Sequence, residues 1–228
     1  KSIHLQHHAH PSVEVKEGRI LHFLENSLPF RTSGYTFRTH YILQNLAASG
    51  YEVAGITRAG FPWDSKEKNP TSRSQLDGIT YHHINTHDGK SFAKHPLDEW
   101  LDQAILKSIN IASDWHPQIL HSHSNFKNGL VCEAVSKSLG LPWVYEMRGI
   151  WEDTQVSTGK IEEGSDIYKY QRDQENHCLQ SANAVVTISE SQKQEIINRG
   201  IESRKVFLVP NAVDADYFKP MERDKDLA

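Results

Sequence analysis

The sequence predicts an α/β fold, a single Rossmann-like doubly wound parallel sheet. Three observations carry that reading. Short apolar runs recur along the chain, segments of ten or more residues with helical spacing separate them, and Gly or Pro stands at the junctions. Strands alternating with helices, and apolar on both faces, read as a parallel sheet covered on both sides. Right-handed crossovers then give the double winding.

The elements follow in order. Arg19–Asn26 (RILHFLEN) reads as a buried first strand, and the loop Ser27–Ser33 leads into Gly34. Tyr35–Ser49 places Phe37, Tyr41, Ile42, Leu46 and Ala47 close to helical spacing, and Gly50 stands where a helix C-terminal glycine belongs. Tyr51–Arg58 is the second strand. Residues 59–78, polar and rich in Pro, Gly, Ser and Lys, read as a mobile surface loop. Ile79–Asn85 is a short, polar third strand expected near a sheet edge. Leu97–Trp115 is helical through Trp100, Leu101, Ile105, Ile109 and Ala112, and His116-Pro117 stops it.

Gln118–Ser124 (QILHSHS) is the fourth strand, followed by a helix to Leu139 that Gly140 ends. Trp143–Arg148 is the fifth strand. A loop through Trp151 and Asp153 precedes a helix over Asp166–Ser181. Ala184–Ser189, a helix over Glu190–Arg199 and a last strand at Val206–Val209 complete the pattern. The expected strand order is 3-2-1-4-5-6-7, all parallel. Residues 1–18 read as a polar, flexible leader, 19–213 as the Rossmann-like domain, and the charged tail 214–228 as an interdomain linker cut in its middle.

Composition narrows the function. At 228 residues the chain buries one good core and is short for two full α/β domains. No run approaches the roughly 18–20 apolar residues of a membrane span, and the start has no signal-peptide pattern. With only Cys132 and Cys178, both in expected helices, no disulfide framework or CxxC metal site is legible, and the cytosol is the default compartment. A net charge of −4 argues against a broad nucleic-acid surface. Of the 14 histidines, His4, His7, His8 and His10 crowd the leader; on a helix His4, His7 and His8 would share a face, a possible metal site, but with no cysteine beside them a polar, flexible leader is the plainer reading.

In a parallel sheet ligands sit outside the carboxyl ends of the strands. The polar residues there are Ser33 and Gly34 after the first strand, His121 to Asn125 at the end of the fourth and Arg148 to Asp153 after the fifth. Ser189 and Glu190 follow the sixth, and Asn211 the last. A glycine-containing turn feeding a helix presents backbone N–H groups to a phosphate. Gly34 stands alone there, so the dinucleotide fingerprint GxGxxG is absent, and a plain strand-to-helix turn explains the same residues. His121 and His123 are expected on opposite faces of their strand, with at most one lining a cleft and no shared metal. Glu146-Met147-Arg148-Gly149-Ile150-Trp151-Glu152-Asp153 puts an arginine, an indole and carboxylates at a strand end, which suits a polyhydroxylated ligand. A local ion network pinning the loop, with Trp151 as its plug, explains it equally.

Four segments then show a resemblance. LPFRTSGYTFRTHYILQNLAASGYEVAGIT (Leu28–Thr57), QILHSHS (Gln118–Ser124), ANAVVTISESQKQEI (Ala182–Ile196) and KVFLVPNAVDADYFKP (Lys205–Pro220) resemble, in this order, the motifs of the N-terminal domain of glycosyltransferase family four. YEMRGIWEDT (Tyr145–Thr154) is most similar to a subgroup tied to bacterial exopolysaccharide and surface glycans. The resemblance implies two Rossmann-like domains around a cleft (GT-B), with this chain the acceptor-side half. It implies retaining transfer of a hexose from a nucleotide-diphosphate sugar to a glycan or lipid-linked hydroxyl. No metal and no cofactor beyond the donor substrate is implied.

Two positions depart from the family pattern: Arg148-Gly149 stands where many members carry His-Gly, and Ala212 where glycine is usual. On this reading Arg148 and His123 face the sugar, Glu152 or Asp153 an acceptor hydroxyl, and Ser33, Gly34, Ser189 and Asn211 the donor. The expected partners are the C-terminal donor-binding domain and the acceptor, with peripheral contact to the inner membrane and self-association of the isolated, inactive half. A sugar-nucleotide epimerase of the same fold and a non-catalytic binding module are the rival readings.

Overall fold

The computed structural model describes residues 13–65, 69–86, 96–213, 215, 219–220 and 223. The leader histidines His4, His7, His8 and His10 lie outside them, as does most of the tail 214–228. Strands β1 (Arg19–Leu24), β2 (Glu52–Thr57), β3 (Arg73–Leu76), β4 (Ile79–His83), β5 (Ile119–His123), β6 (Trp143–Met147), β7 (Ala184–Thr187) and β8 (Val206–Leu208) form one sheet. Its order is β3-β4-β2-β1-β5-β6-β7-β8. The helices are α1 (Gly34–Ala48), α2 (Leu97–Trp115), α3 (Phe126–Leu139), α4 (Trp151–Ser157), α5 (Asp166–Ser181) and α6 (Glu190–Asn198).

The order of the parallel strands is the expected one, with one addition. β3 pairs antiparallel with β4 and takes the edge, so the third expected strand is not an edge strand. The segment 59–78 is therefore not simply a surface loop. It opens on a buried turn, where Ala59 and Phe61 are covered and Arg58 pairs with Asp64 at 2.5 Å. It closes on β3 and a tight turn in which Asp77 (φ 48°) and Gly78 (φ 80°) are both left-handed, the geometry of a two-residue hairpin. The loop expected through Trp151 and Asp153 is likewise a short helix, α4, with Glu152 and Asp153 in its first turn where the helix dipole favours acid. Of the leader, residues 13–18 are fastened down. Val13 packs on the core, the Lys16 amide donates to the His116 carbonyl at 3.0 Å, and Gly18 donates to the Gln118 side chain at 2.9 Å.

Alternation along the central strands divides the core into two unequal parts. Leu21, Phe23, Ala54, Ile56, Leu120, Trp143, Tyr145 and Met147 face one way and meet α2 and α3 through Trp100, Leu101, Ile105, Leu130 and Val135. Each of the leucine, isoleucine, valine, phenylalanine and methionine side chains among them stabilises the fold by about 1.5–3 kcal/mol on burial. At Gly129 an added Cβ would lie 2.6 Å from Cys178 Sγ, so α3 passes α5 too closely for any side chain there. Both cysteines are buried and unpaired. The opposite face carries a small apolar cluster of Leu24, Leu43, Ile79 and Tyr81 under α1. Beside that cluster the face turns polar.

Candidate functional site

The polar patch follows from strand register. His22 on β1 stands opposite His121 on β5, and His123 stands opposite Glu146 on β6. Residues two apart on a strand share a face. The expectation that His121 and His123 face opposite ways is therefore wrong: their ring centroids are 4.8 Å apart, and His22 is 4.9 Å from His121. The period of a strand, applied correctly, puts all four side chains together.

Glu146 is the centre of the patch. Arg148 grips it with both arms of its guanidinium, Nε to Oε1 at 2.8 Å and Nη2 to Oε2 at 3.1 Å. Its third arm, Nη1, donates to Thr39 Oγ1 of α1 at 2.6 Å. Arg38, also on α1, donates to Glu146 Oε1 at 2.9 Å and keeps 21% of its side chain exposed, against 2% for Arg148. His121 Nε2 and His123 Nε2 lie 3.3 and 3.7 Å from Glu146 Oε2. His22 Nδ1 meets His123 Nε2 at 3.0 Å. Burial alone would push the Glu146 carboxyl up, but His123, His121 and Arg148 outweigh it and hold its pKa well below the ordinary range. Burial, reinforced by His121 at His22 and by Arg148 at His123, pushes those two imidazoles well below theirs. At neutral pH the patch thus holds one carboxylate, two guanidiniums and imidazoles of which His22 and His123 are neutral.

The start of α1 supplies the rim. Ser33 caps the helix, its Oγ accepting from the Thr36 amide, and Thr36 returns the bond to the Ser33 amide. This capping box fixes the turn that precedes Arg38 and Thr39. Gly34 is the first helical residue, and a Cβ there would meet nothing within 4 Å. Across the turn, the Tyr35 hydroxyl would lie 3.9 Å from a Cβ on Gly149, bringing α1 close to the segment after β6.

The remaining predicted residues divide. Asp153 is exposed and accepts from the Tyr168 hydroxyl at 2.9 Å. Glu152, only 1% exposed, turns inward to Arg199 at 3.0 Å and Arg172 at 3.8 Å, so it joins α4 to α5 and α6. Ser189 caps α6, accepting from the Gln192 amide at 3.2 Å. Asn211 is exposed beyond β8. All follow strand ends on one sheet edge, yet only His123 and Arg148 enter the patch. Sequence reading missed His22, Arg38, Thr39 and the central role of Glu146. The alternation in β1 and β5 was the available signal for His22, but its use requires knowing that those strands are neighbours.

A mostly parallel sheet with a polar patch at its carboxyl edge, beneath a capped helix start, defines a Rossmann-like domain. The chain matches the Glycosyl transferase 4-like domain over residues 33–212, and it belongs to that family. No curated protein shows significant similarity to it. Among solved structures it is similar to a sucrose-phosphate synthase from Thermosynechococcus elongatus, with TM-score 0.69 and 13% identity over 89% of this chain and 50% of that one. A glycosyltransferase from Rickettsia africae gives TM-score 0.57 and 15% identity over 93% and 48%. A UDP-GlcNAc 2-epimerase from Methanocaldococcus jannaschii gives 0.52 and 12% over 84% and 45%. The chain therefore spans half, or just under half, of the length of these proteins, and at such identities they establish its fold alone, the Rossmann-like domain found in GT-B proteins. Among the described residues no helix is long and apolar enough to cross a membrane.

Proposed function

We propose that this domain is the N-terminal, acceptor-side half of a retaining glycosyltransferase that moves a hexose from a nucleotide-diphosphate sugar to a glycan or lipid-linked hydroxyl. One observation carries the reading. The family match spans a domain whose carboxyl edge joins a phosphate-suited helix start to a guanidinium and imidazole patch. In such a site the chain contributes positioning and electrostatics.

The turn at Ser33 and Gly34 offers backbone N–H groups to the donor diphosphate, because no Cβ blocks the approach. Arg38, bound to Glu146 but part exposed, is the guanidinium free to swing toward a ligand oxygen. Arg148 acts from below as a positioning residue, since Glu146 and Thr39 engage all three of its arms. His123 is linked to Arg148 through Thr39 Oγ1, which lies 3.5 Å from its Nδ1 and accepts from Arg148 Nη1. Asp153 is the exposed carboxylate that fits an acceptor hydroxyl, while Glu152 serves the fold. Ser189 and Asn211, on the same edge, fit the donor-facing rim.

The similarity to a UDP-GlcNAc 2-epimerase supports a second reading, in which carboxylates after β6 act as acid and base on a bound sugar nucleotide. A product assay on the full-length protein separates the two. A panel of nucleotide-diphosphate sugars is incubated with and without acceptor glycans. Transfer that needs acceptor and retains the anomeric configuration supports the transferase. Free epimerised sugar formed without acceptor supports the epimerase, and neither product from any donor overturns both. Arg148→Lys is expected to lose at least tenfold in kcat, because an ammonium keeps the charge but not the three-armed plane.

A further inference from the structure

We propose that His22, His121, His123 and Glu146 form a site for one divalent transition-metal ion of the zinc class, held against the sheet beneath α1. The proposal goes beyond the transferase reading and does not depend on it.

Four ligand atoms about 2.0–2.1 Å from one ion at tetrahedral angles stand about 3.3–3.4 Å from each other. Here His22 Nδ1 to His123 Nε2 is 3.0 Å, His121 Nε2 to Glu146 Oε2 is 3.3 Å, and His123 Nε2 to Glu146 Oε2 is 3.7 Å. One ligand atom from each of the three histidines lies within 4.8 Å of the others. These values scatter around a tetrahedral edge, so small rotations of the rings would seat an ion without moving the backbone. The backbone itself is fixed, since the four residues are two directly opposed pairs on three hydrogen-bonded strands.

The cluster also carries an unmet bonding need. His121 Nε2 is buried without a hydrogen-bond partner. His121 Nε2 stands at ion-pair distance from Glu146 without the alignment of a hydrogen bond. Buried polar atoms in folded proteins are nearly all satisfied, and a nitrogen left over in a cluster of imidazoles points to an absent partner. An ion bound to His22 Nδ1, His121 Nε2, His123 Nε2 and Glu146 Oε2 would supply that partner for His121 and replace the close His22–His123 contact.

Ligating carboxylates and imidazoles are themselves held from outside. Arg148 and Arg38 both bond Glu146 Oε1, while Oε2 accepts from Arg148 Nη2 at 3.1 Å and faces His121 and His123, and Thr39 Oγ1 stands 3.5 Å from His123 Nδ1. Nitrogen-rich donors select zinc, cobalt, nickel or copper over magnesium and calcium. The two guanidiniums oppose a cation, so affinity is expected in the micromolar range, weaker than in structural zinc sites. An ion on Oε2 would also draw that oxygen away from Arg148 Nη2, a further cost that keeps the affinity modest.

The test uses zinc and cobalt with the purified full-length protein. The expected results are one zinc per chain after dialysis and the intense visible bands of tetrahedral cobalt. His121→Asn, at a partly exposed ring, and His123→Gln are each expected to weaken binding at least tenfold. A control variant with His4, His7, His8 and His10 all changed to Asn is expected to bind as the parent does. If binding disappears in that control, or survives undiminished in His121→Asn, the ion belongs elsewhere and the proposal fails. A folded parent protein that takes up no zinc or cobalt overturns it as well.

Discussion

Two buried charge clusters stand on this domain, and they are built from the same residue types to opposite ends. One gathers Arg38, Arg148, His121 and His123 around Glu146 at the carboxyl edge of β5 and β6. The other gathers Arg199, Arg172 and Glu195 around Glu152, among α4, α5 and α6. In the second cluster Glu152 and Arg199 are 1% and 2% exposed, and each cation has an acid on a neighbouring helix. It ties three helices together. The first cluster has two guanidiniums for one carboxylate and an arm, Arg38, reaching the surface. Two guanidiniums for one carboxylate, at the carboxyl edge of the sheet, favour the first cluster as the candidate site and the second as a brace.

The largest expected effect breaks the first cluster at its hub. Glu146→Gln leaves Arg148 buried with only Thr39 as a strong partner, and removing one side of a buried pair costs about 3–5 kcal/mol. Urea denaturation measures it, and a loss under about 1 kcal/mol would mean that the two arginines are solvated in the native state. Glu152→Gln is expected to cost less, about 2–3 kcal/mol, since Arg199 keeps Glu195 at 2.9 Å. That variant should bind sugar nucleotide as the parent does. Weakened binding with unchanged stability would reverse the assignment of brace and site.

A pH series probes the neighbourhood of the brace. Glu175, buried on α5, has its pKa raised to about 7, first by burial and then by the charge of Glu152, against the bonds it accepts from Tyr145 and the Phe126 amide. A carboxyl whose folded pKa exceeds its unfolded value of about 4.3 binds more protons folded than unfolded between the two. Its contribution is therefore fully present below about pH 4.3 and is lost as pH rises through about 7. Glu175→Gln should remove that decline, so the difference between variant and parent grows in favour of the variant from pH 5 to pH 8. Equal slopes for both proteins would place the titration elsewhere.

Smaller effects sharpen the rim. Ser33→Ala removes the cap of α1 and should cost about 1 kcal/mol. Gly34→Ala, with open space at the added methyl, should change stability by less than about 1 kcal/mol yet weaken diphosphate binding by crowding the helix start. Unchanged affinity in Gly34→Ala would turn the turn back into a plain junction.

The sequence made most of the scaffold legible and little of the site. α2 and α5 were readable to the residue, because Trp100, Leu101, Ile105 and Ile109 keep the helical period and His116 and Ala182 leave it. β3 escaped because RSQL carries no apolar signal and gains its place only by pairing with β4. Its Asp77-Gly78 turn was the available clue. Cys132 and Cys178 were placed on helices correctly, but nothing in their spacing says that α3 and α5 touch. The patch around Glu146 depends on cross-strand neighbours, His22 with His121 and His123 with Glu146, and these exist only once the strand order does. Glu152 escaped twice: its short helix reads as a loop, and the direction of its side chain is set by an arginine 47 residues away.

Helix α1 is anchored at both flanks. His40 bonds the Tyr81 hydroxyl at 2.8 Å and Asp77 at 3.0 Å, while Arg38 and Thr39 bond Glu146 and Arg148 on the other side. A helix held between the β3–β4 hairpin and β6 has few positions to explore, so the N–H groups of its first turn are aimed before any ligand arrives. Most of the ordering entropy that a loop would lose on closing over a phosphate has already been lost during folding. Affinity changes that originate at this rim should therefore show in how fast the ligand leaves, with little change in how fast it arrives.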